Sequence, residues 1–402
     1  MFDPDVLLAL LGPLRPGDAL APGVTLTAAR VGTGLTLQLD DHGVAVLVEV
    51  APRAPGDRAA AETERFTLSY RAAPGLAPRR GQELCRVLAG RVAVHEGEVA
   101  ERLRAGADDG GRRVRHVRVS RALEPCDVAG AEHYGLSPYA GCLIGCRFCY
   151  AQSRLTPLGR LLGRDGAPWG SWVDVRANLP ELLREELRIM DPRPVKLTPI
   201  LSDPYQPLET RVRLTRRCLE VLAEVPAFTP LVLTRSVLVR DDLERIAAVP
   251  GAHLGVSLPT LDEAALAHFE PRAASGAERL EILKAFAAAG VTTFAVVQPL
   301  LPGSVEALAD ALAACVTSVH LGVLHGEETA GADFSDVRFS MSREADWQRA
   351  RARELADALR MRGVRLWDSE LPPTLGGRRG RDVGQAASPA CTPYRGADMS
   401  DK

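Results

Sequence analysis

Three cysteines fall within eight residues of the run YAGCLIGCRFCY, from Tyr139 to Tyr150. Cys142, Cys146 and Cys149 stand in a Cys-x3-Cys-x2-Cys spacing, so a fold that uses them together bends this stretch into a wrapping loop. Gly141 and Gly145, each just before a cysteine, supply the backbone freedom such a loop needs. Clustered thiolates hold iron–sulfur clusters, and a four-iron cluster ordinarily takes four of them. Three imply one iron left for a ligand from outside the protein, much as a catalytic metal keeps an open position. Two other readings fit the same residues. A structural zinc site draws on two separated pairs and would need Cys126 or His133 as its fourth ligand. Three unrelated packed cysteines are the other, since buried Cys is common, although seldom clustered.

The chain has 402 residues, enough for a sizeable core and two domains. Its formal net charge of −2 gives no overall basic field to draw it to nucleic acid or to an anionic membrane. The only lysines are Lys196, Lys284 and Lys402, so almost every cation is Arg and a local Arg cluster says less than usual. Eight cysteines in this length are too few and too scattered for a disulfide framework. The apolar run in MFDPDVLLALLGPL follows Asp3 and Asp5 rather than basic residues, which does not describe a signal peptide. No apolar stretch reaches the roughly 18 residues of a membrane span. A reduced, cytoplasmic protein is expected.

Residues 1–104 read as an α+β domain of unknown role. A short helix near 3–12 precedes a hairpin in VTLTAARVGTGLTLQL, Val24 to Leu39, and strands at Val44–Val50 and Phe66–Arg71. Gln82–Val92 and Glu96–Arg104 read as two helices, with Cys85 on an apolar face. Residues 105–134 form a linker. Its RRVRHVRVSR at 112–121 holds five arginines and His116 without an acid, which fits either a phosphate-binding stretch or a solvated strand edge. Cys126 in this linker is either structural or close to the cluster. From 135 to 370 short β-branched runs alternate with amphipathic segments. Strands are expected at Ser137–Gly141, Val195–Ile200, Pro230–Arg235, Ala252–Leu258, Thr293–Pro299 and Ser318–Leu324, separated by helices. Residues 371–402, with Cys391 and Tyr394, read as a flexible tail.

Short polar motifs follow the expected strands: LSDPYQPLE at Leu201–Glu209, LTRS at Leu233–Ser236, GVSLPT at 255–260 with EPR at 270–272, and VVQPLLPG at 296–303. Together with the cysteine run, and with Phe148 as the aromatic residue before its third cysteine, they resemble the spore photoproduct lyase-like branch of the radical S-adenosylmethionine enzymes. The likeness covers roughly residues 135–325. It implies an α/β fold, a partial (β/α)6 barrel of the radical SAM type beside the N-terminal α+β domain. Catalytic groups of such barrels sit at the C-terminal strand ends, where these motifs fall.

The resemblance implies a [4Fe–4S] cluster on Cys142, Cys146 and Cys149, with S-adenosyl-L-methionine on its open iron. The backbone at Phe148 would touch adenine, and Ser202 and Asp203 would receive the methionine amino group. Arg235 stands where the family has a Lys for the methionine carboxylate; Arg pairs it bidentately, with altered geometry. Ser257 and Gln298 would bond carboxylate and ribose, and Tyr205 and Glu209 would serve cofactor or substrate. Two of these segments also have plain readings: Asp203-Pro204 as an ordinary turn, and Glu270 as a surface acid paired with Arg272. Implied activity is reductive cleavage of S-adenosylmethionine to a 5′-deoxyadenosyl radical that abstracts hydrogen from a small-molecule or peptide substrate. A flavodoxin- or ferredoxin-type donor would supply the electron. Lesion repair or base modification on nucleic acid is the second expectation, and a non-catalytic iron–sulfur or zinc protein the third. One departure weighs against lesion repair: the lyase's hydrogen-donating cysteine has no counterpart, since no cysteine lies between Cys149 and Cys218.

Overall fold

Leu35, Leu37 and Leu39 alternate with Thr36, Gln38 and Asp40, and that period of two sends every leucine to one face of a sheet. The computed structural model describes residues 4–31, 34–53, 59–72, 75–105, 114–127, 131–153, 155, 167–198, 200–324 and 331–376. The chain divides into two compact units, one built mainly on Met1–Ser120, the other on Arg121–Ser153 and Pro168–Pro393.

The first unit opens with helix α1 (Pro4–Leu8) and then lays down β1 (Ala19–Ala21), β2 (Val24–Val31), β3 (Leu35–Asp41), β4 (Val44–Pro52), β5 (Ala61–Glu62) and β6 (Phe66–Ala72). They form one antiparallel sheet in the order β1-β2-β3-β4-β6-β5. The β3–β4 turn is His42-Gly43, both residues at positive φ (53° and 87°), the backbone a two-residue hairpin with right-handed strand twist requires. Helix α2 (Pro78–Ala105) follows as one continuous helix, where the sequence suggested two. Residues 93–95 (Ala-Val-His) contain no breaker, and neither Gly90 nor Gly97 adopts a positive φ. Leu84, Cys85, Leu88, Val92 and Val99 are buried, and burial pushes the Cys85 thiol up to about 12. A Cβ added at Gly90 or Gly97 meets nothing within 4 Å. Gly97→Ala is therefore expected to stabilise the chain by about 0.5–1 kcal/mol, seen as a raised urea midpoint at unchanged slope. A short strand, β7 (Val114–Val117), ends this unit.

In the second unit β8 (Leu123–Cys126), β9 (His133–Leu136), β10 (Tyr139–Ala140) and β11 (Val173–Arg176) lead into α3 (Leu179–Glu186), β12 (Val195–Leu197), α4 (Glu209–Val212) and α5 (Leu214–Ala223). Then come β13 (Pro230–Thr234), α6 (Leu243–Ala247), β14 (His253–Ser257), α7 (Glu263–Phe269), α8 (Gly276–Ala288), β15 (Thr292–Val297), α9 (Val305–Ala313), β16 (Ser318–Leu321), α10 (Ala345–Met361) and β17 (Arg365–Trp367). The sheet runs β17-β16-β15-β14-β13-β12-β9-β8, parallel throughout except for the antiparallel β8–β9 edge. This is a partial α/β barrel. Helix starts follow the local chemistry: Ser275 and Glu278 form a reciprocal capping box at α8, and Asp262 and Ser304 cap α7 and α9.

The first parallel strand is β9, at 133–136, rather than 137–141. Tyr139 and Ala140 instead pair antiparallel with Val175 and Asp174. Two further strands carried no visible period: β8, inside the stretch read as linker, and three-residue β17. Leu371 does not begin a loose tail. It is buried with Leu231, Phe294 and Trp367, Lys196 Nζ meets Glu370 at 2.6 Å, and His253 Nε2 lies 2.7 Å from Thr374 Oγ1. Residues 368–376 thus pack against the inner face of the barrel. The rest of the expected tail, with Cys391 and Tyr394, lies outside the described residues, as do 107–111 of the linker.

Alternation sorts the strands into two faces. Val195, Leu197, Val232, Leu254, Val256, Ala295, Val297 and Val319 are fully buried on the outer, helix-covered face. Their neighbours Lys196, Leu233, Val296 and His320 look inward and are only half-buried. Burial and the nearby Lys196 charge lower the His320 pKa to about 4. An unfolded histidine binds its proton near pH 6.5, so acidification from 6.5 towards 4 stabilises the unfolded chain first. The native state is expected to lose up to about 3 kcal/mol to this residue over that window. Equilibrium unfolding at both pH values should show a shallower fall in His320→Gln than in the parent.

Candidate active site

The cysteine loop is a shaped segment. Gly141 and Gly145 sit at φ +79° and +63°, and side chains there would collide with Trp172 and with Gly170 and Arg272 respectively. Backbone bonds tie the loop down: Gly141 N–H to Leu201 O (3.2 Å), Leu143 N–H to Gln206 Oε1 (3.0 Å), Arg147 N–H to Phe269 O (2.9 Å). Trp169 Nε1 donates to Cys146 O and Arg272 Nε to Ile144 O, each at 3.2 Å. Below the loop lies a cluster of Phe148, Phe269, Leu301, Phe334 and Phe339. Gly145→Ala is expected to cost about 1–2 kcal/mol through left-handed strain and to loosen the thiols, read by urea unfolding and by iron content after reconstitution.

Cys142 and Cys146 are buried and Cys149 nearly so, and all three thiols are free. Burial pushes each thiol up, Cys149 to about 11, while the Arg235 charge works against this at Cys146 and Cys149. Cys142, Cys146 and Cys149 feel one another's charge, as neighbours do. Among the described residues no group of three or more His, Cys, Asp or Glu side chains is arranged to hold a single metal ion. Cys126, on β8, is disulfide-bonded and so not a free thiol; His133 is buried, its Nδ1 2.7 Å from Ala131 O.

Asp203, Arg235 and Ser257 converge beside Cys146. Asp203 follows β12, Arg235 is the first residue past β13 and Ser257 the last of β14, so three C-terminal strand ends deliver them. Arg235 Nη1 donates to Cys146 Sγ at 3.3 Å and Nη2 to Ser257 Oγ at 2.6 Å. Its Nε lies 3.0 Å from Glu270 Oε1, and its guanidinium 5.9 Å from the centre of the Phe148 ring. Burial alone would lower the Arg235 pKa, yet Cys146, Glu270 and Asp203 around it drive it above the ordinary arginine value. Asp203 accepts from Thr234 Oγ1 (2.6 Å), Tyr205 N–H (2.9 Å) and Arg235 N–H (2.9 Å). Even so, burial raises its pKa. Ser202 Oγ lies 3.4 Å from Asp203 O, and the Asp203 charge adds to burial in pushing up the Cys142 thiol. Gln298, just past β15, turns its amide to Val323 O at 3.1 Å.

Tyr205 and Glu209 lie elsewhere. Tyr205 is buried and donates to Asp242 Oδ2 at 3.0 Å; Glu209 accepts from the Tyr139 hydroxyl and from Arg216 N–H. Arg216 joins Asp242 at 2.7 Å. This network braces the segment that carries Asp203 from behind. Its donors and acceptors are spent within the protein.

Glu270 is not a surface acid, and Arg272 is not its partner. The Glu270 side chain is fully buried between Arg235 and Arg279, whose Nη1 lies 2.6 Å from Oε2 and also donates to Ser257 O at 2.8 Å. Arg279 was legible: it falls on the buried stripe of α8 with Gly276, Ile282, Leu283 and Phe286, and a cation in such a stripe needs a partner. Gln206, also overlooked, has no exposed surface and a buried Nε2 with no partner among the described residues. Of the arginines at 112–121, Arg115 is buried, and Arg118 and Arg121 are exposed.

No helix among the described residues is long and apolar enough to cross a membrane. Residues 136–311 match the model of the radical SAM superfamily. An uncharacterized protein of Methanocaldococcus jannaschii is 25% identical over 193 residues, 47% of this chain and 68% of its own length. One of Mycobacterium tuberculosis is 33% identical over 178 residues, 42% of this chain and half of its own length. Among solved structures, spore photoproduct lyase with bound AdoMet and dinucleoside spore photoproduct shares 17% identity at a TM-score of 0.45, over 65% of this chain and 81% of the other. Streptococcus suis SuiB bound to precursor peptide SuiA shares 13% identity at 0.32, over 59% and 45%. The matched segment begins within β9, contains all three loop cysteines and runs through β15 into α9, and over this segment, a little under half of the chain, the sequence is similar to the radical SAM superfamily.

Proposed function

We propose that Cys142, Cys146 and Cys149 hold a [4Fe–4S] cluster and that the groups beside them bind S-adenosyl-L-methionine. The observation that carries the reading is the Arg235 contact: a buried, charged guanidinium donating to Cys146 Sγ, on a thiol that burial otherwise keeps protonated. Such a donor suits a thiolate bound to metal, where hydrogen bonds to sulfur tune the site. The donor set also fits: three free thiols on one fixed loop, with the unpartnered Gln206 Nε2 behind it. When bound, the cluster and its S-adenosylmethionine supply one-electron cleavage of that cofactor and, from it, hydrogen-atom abstraction.

The chain's own residues would then orient and enclose. Arg235 spans Cys146 and Ser257, so it sits to pair the methionine carboxylate while keeping its bond to sulfur. Asp203 and Ser202 lie on the Cys142 side, placed for the amino group. Ser257 offers a hydroxyl at the same rim, Gln298 an amide for ribose, and the Phe148 backbone an edge for adenine. Tyr205 and Glu209 position Asp203 through the network behind it. The Phe269, Phe334 and Phe339 cluster keeps water from the loop's underside. A flavodoxin- or ferredoxin-type protein would deliver the electron, and a small molecule or peptide would be the substrate.

Anaerobic reconstitution with iron and sulfide, followed by dithionite and S-adenosylmethionine, tests this. Formation of 5′-deoxyadenosine and methionine, followed by mass spectrometry, is the expected result. Stoichiometric zinc uptake with no 5′-deoxyadenosine would contradict it. Binding to a DNA or RNA duplex with a log–log salt slope of several units would move the substrate to nucleic acid.

A further inference from the structure

Cys126 differs from the other described cysteines. Of the eight in the chain, Cys85, Cys142, Cys146, Cys149, Cys218 and Cys315 are free, whereas Cys126 is disulfide-bonded. Cys391 is the cysteine that remains to pair with it, and it lies outside the described residues. Cys126 ends β8, the edge strand of the barrel sheet, and stands opposite His133 of β9. This strand end is firmly placed: Cys126 is 4% exposed, and Asp127 beside it meets Arg193 at 2.5 Å.

The described part of the C-terminal segment already leads to this hairpin. Leu371 shares a buried cluster with Ala131 of the β8–β9 connection. Glu370 meets Lys196 at 2.6 Å, and the charges of both act on His133, the residue opposite Cys126. Thr374 Oγ1 then lies 2.7 Å from His253 Nε2. An ion pair, a leucine and a hydroxyl thus hold residues 368–376 as a strap on the inner face, beside the strand that carries Cys126. Cys391 is fifteen positions past Gly376, the last described residue. An extended chain of that length spans up to roughly 50 Å, ample to return to β8.

We propose that Cys126 and Cys391 are a reversible redox pair, whose disulfide ties the C-terminal segment to the end of β8 and fastens the strap across the inner face of the barrel. Its reversibility rests on the cluster reading: the three loop cysteines take iron as thiolates, so the chain works where thiols stay reduced. A disulfide under such conditions is ordinarily transient or redox-sensing. The oxidant is a low-molecular-weight disulfide such as oxidised glutathione. Its S–S bond breaks and the Cys126–Cys391 bond forms. The two electrons and two protons leave the protein as two molecules of the small thiol. Excess small thiol reverses the exchange. The other thiols compete poorly, because burial raises Cys85, Cys142, Cys146, Cys149, Cys218 and Cys315 above the ordinary thiol range and leaves little thiolate.

The test equilibrates the full, reconstituted chain under argon with glutathione at graded reduced-to-oxidised ratios. Each sample is quenched in acid, unfolded, alkylated with N-ethylmaleimide and weighed by intact mass spectrometry. Oxidising ratios should leave six labels, the free thiols, and reducing ratios eight, the whole complement. A tryptic peptide joining Cys126 to Cys391 should appear under oxidising ratios alone. Backbone amides of 368–376 should exchange hydrogen at least about tenfold more slowly in the cross-linked chain. In Cys126→Ser and Cys391→Ser that difference should vanish. Should either variant fail to fold, label number and exchange in the parent still decide. Eight labels at every ratio, or Cys126 linked to a different cysteine, would overturn the proposal. So would six labels that persist in excess reduced glutathione, or a strap that exchanges at one rate throughout. A chain that makes 5′-deoxyadenosine without forming the link would sink this inference alone; a reversible link in a chain that makes none would sink the radical reading alone.

Discussion

Replacing Cys146 with alanine is expected to reduce iron–sulfide loading and 5′-deoxyadenosine formation by more than about a hundredfold, because losing even a partner behind a metal ligand costs up to that much. The fold should survive. Cys146 sits on a loop anchored by the backbone bonds of Gly141, Leu143 and Arg147, none of which involves its thiol. Unfolding of the metal-free variant should therefore stay within about 1–2 kcal/mol of the parent, the cost of a small buried side chain. Cys142→Ala and Cys149→Ala should behave alike. Cys218→Ala and Cys315→Ala, at thiols outside the loop, should keep full iron content. Iron per chain by colorimetry, with 5′-deoxyadenosine by mass spectrometry, separates the two groups.

Glu270→Leu should be the most destabilising single change at the site. The carboxylate stands between two guanidiniums, at 3.0 Å from Arg235 and 2.6 Å from Arg279, with no exposed side-chain surface of its own. Removing it leaves two buried cations facing each other, and breaking a buried pair in this way costs about 3–5 kcal/mol. Urea unfolding of the metal-free chain reads this directly. Arg279→Met in the same background removes one of the repelling charges and should return part of the loss, whereas independent effects would simply add. Activity should fall further than stability explains, since Arg235 loses the acid that aims it between Cys146 and Ser257.

How much of this was legible in the sequence follows from the range of each interaction. The cysteine spacing, the glycines before the thiols and the polar residues after each strand are local, and they placed Asp203, Arg235 and Ser257 at one barrel end. Periodicity found β12 to β16 and most of the helices. It missed β8 and β17, of four and three residues, and it misassigned Tyr139–Ala140, which pairs with a strand more than thirty residues on. The Glu270–Arg279 pair was hidden because EPR invites pairing with the adjacent Arg272, while the true partner stands one helix later. Tyr205 and Glu209 were read toward the cofactor because they share a motif with Asp203. Adjacent residues of a loop point in different directions, and only packing tells which one faces the site. Residues 371–376 looked like the start of a tail because they carry Pro and Gly, yet Leu371 is buried among inner-face residues and Thr374 meets His253.

The central claim is that three thiolates leave one iron open and that Arg235, Asp203 and Ser257 border it. Electron paramagnetic resonance of the reduced, reconstituted protein with and without S-adenosylmethionine tests this most directly. A marked change of the spectrum on adding the cofactor to the parent, lost or strongly weakened in Arg235→Leu, is what the account predicts. A reduced spectrum indifferent to S-adenosylmethionine in the parent protein would contradict it.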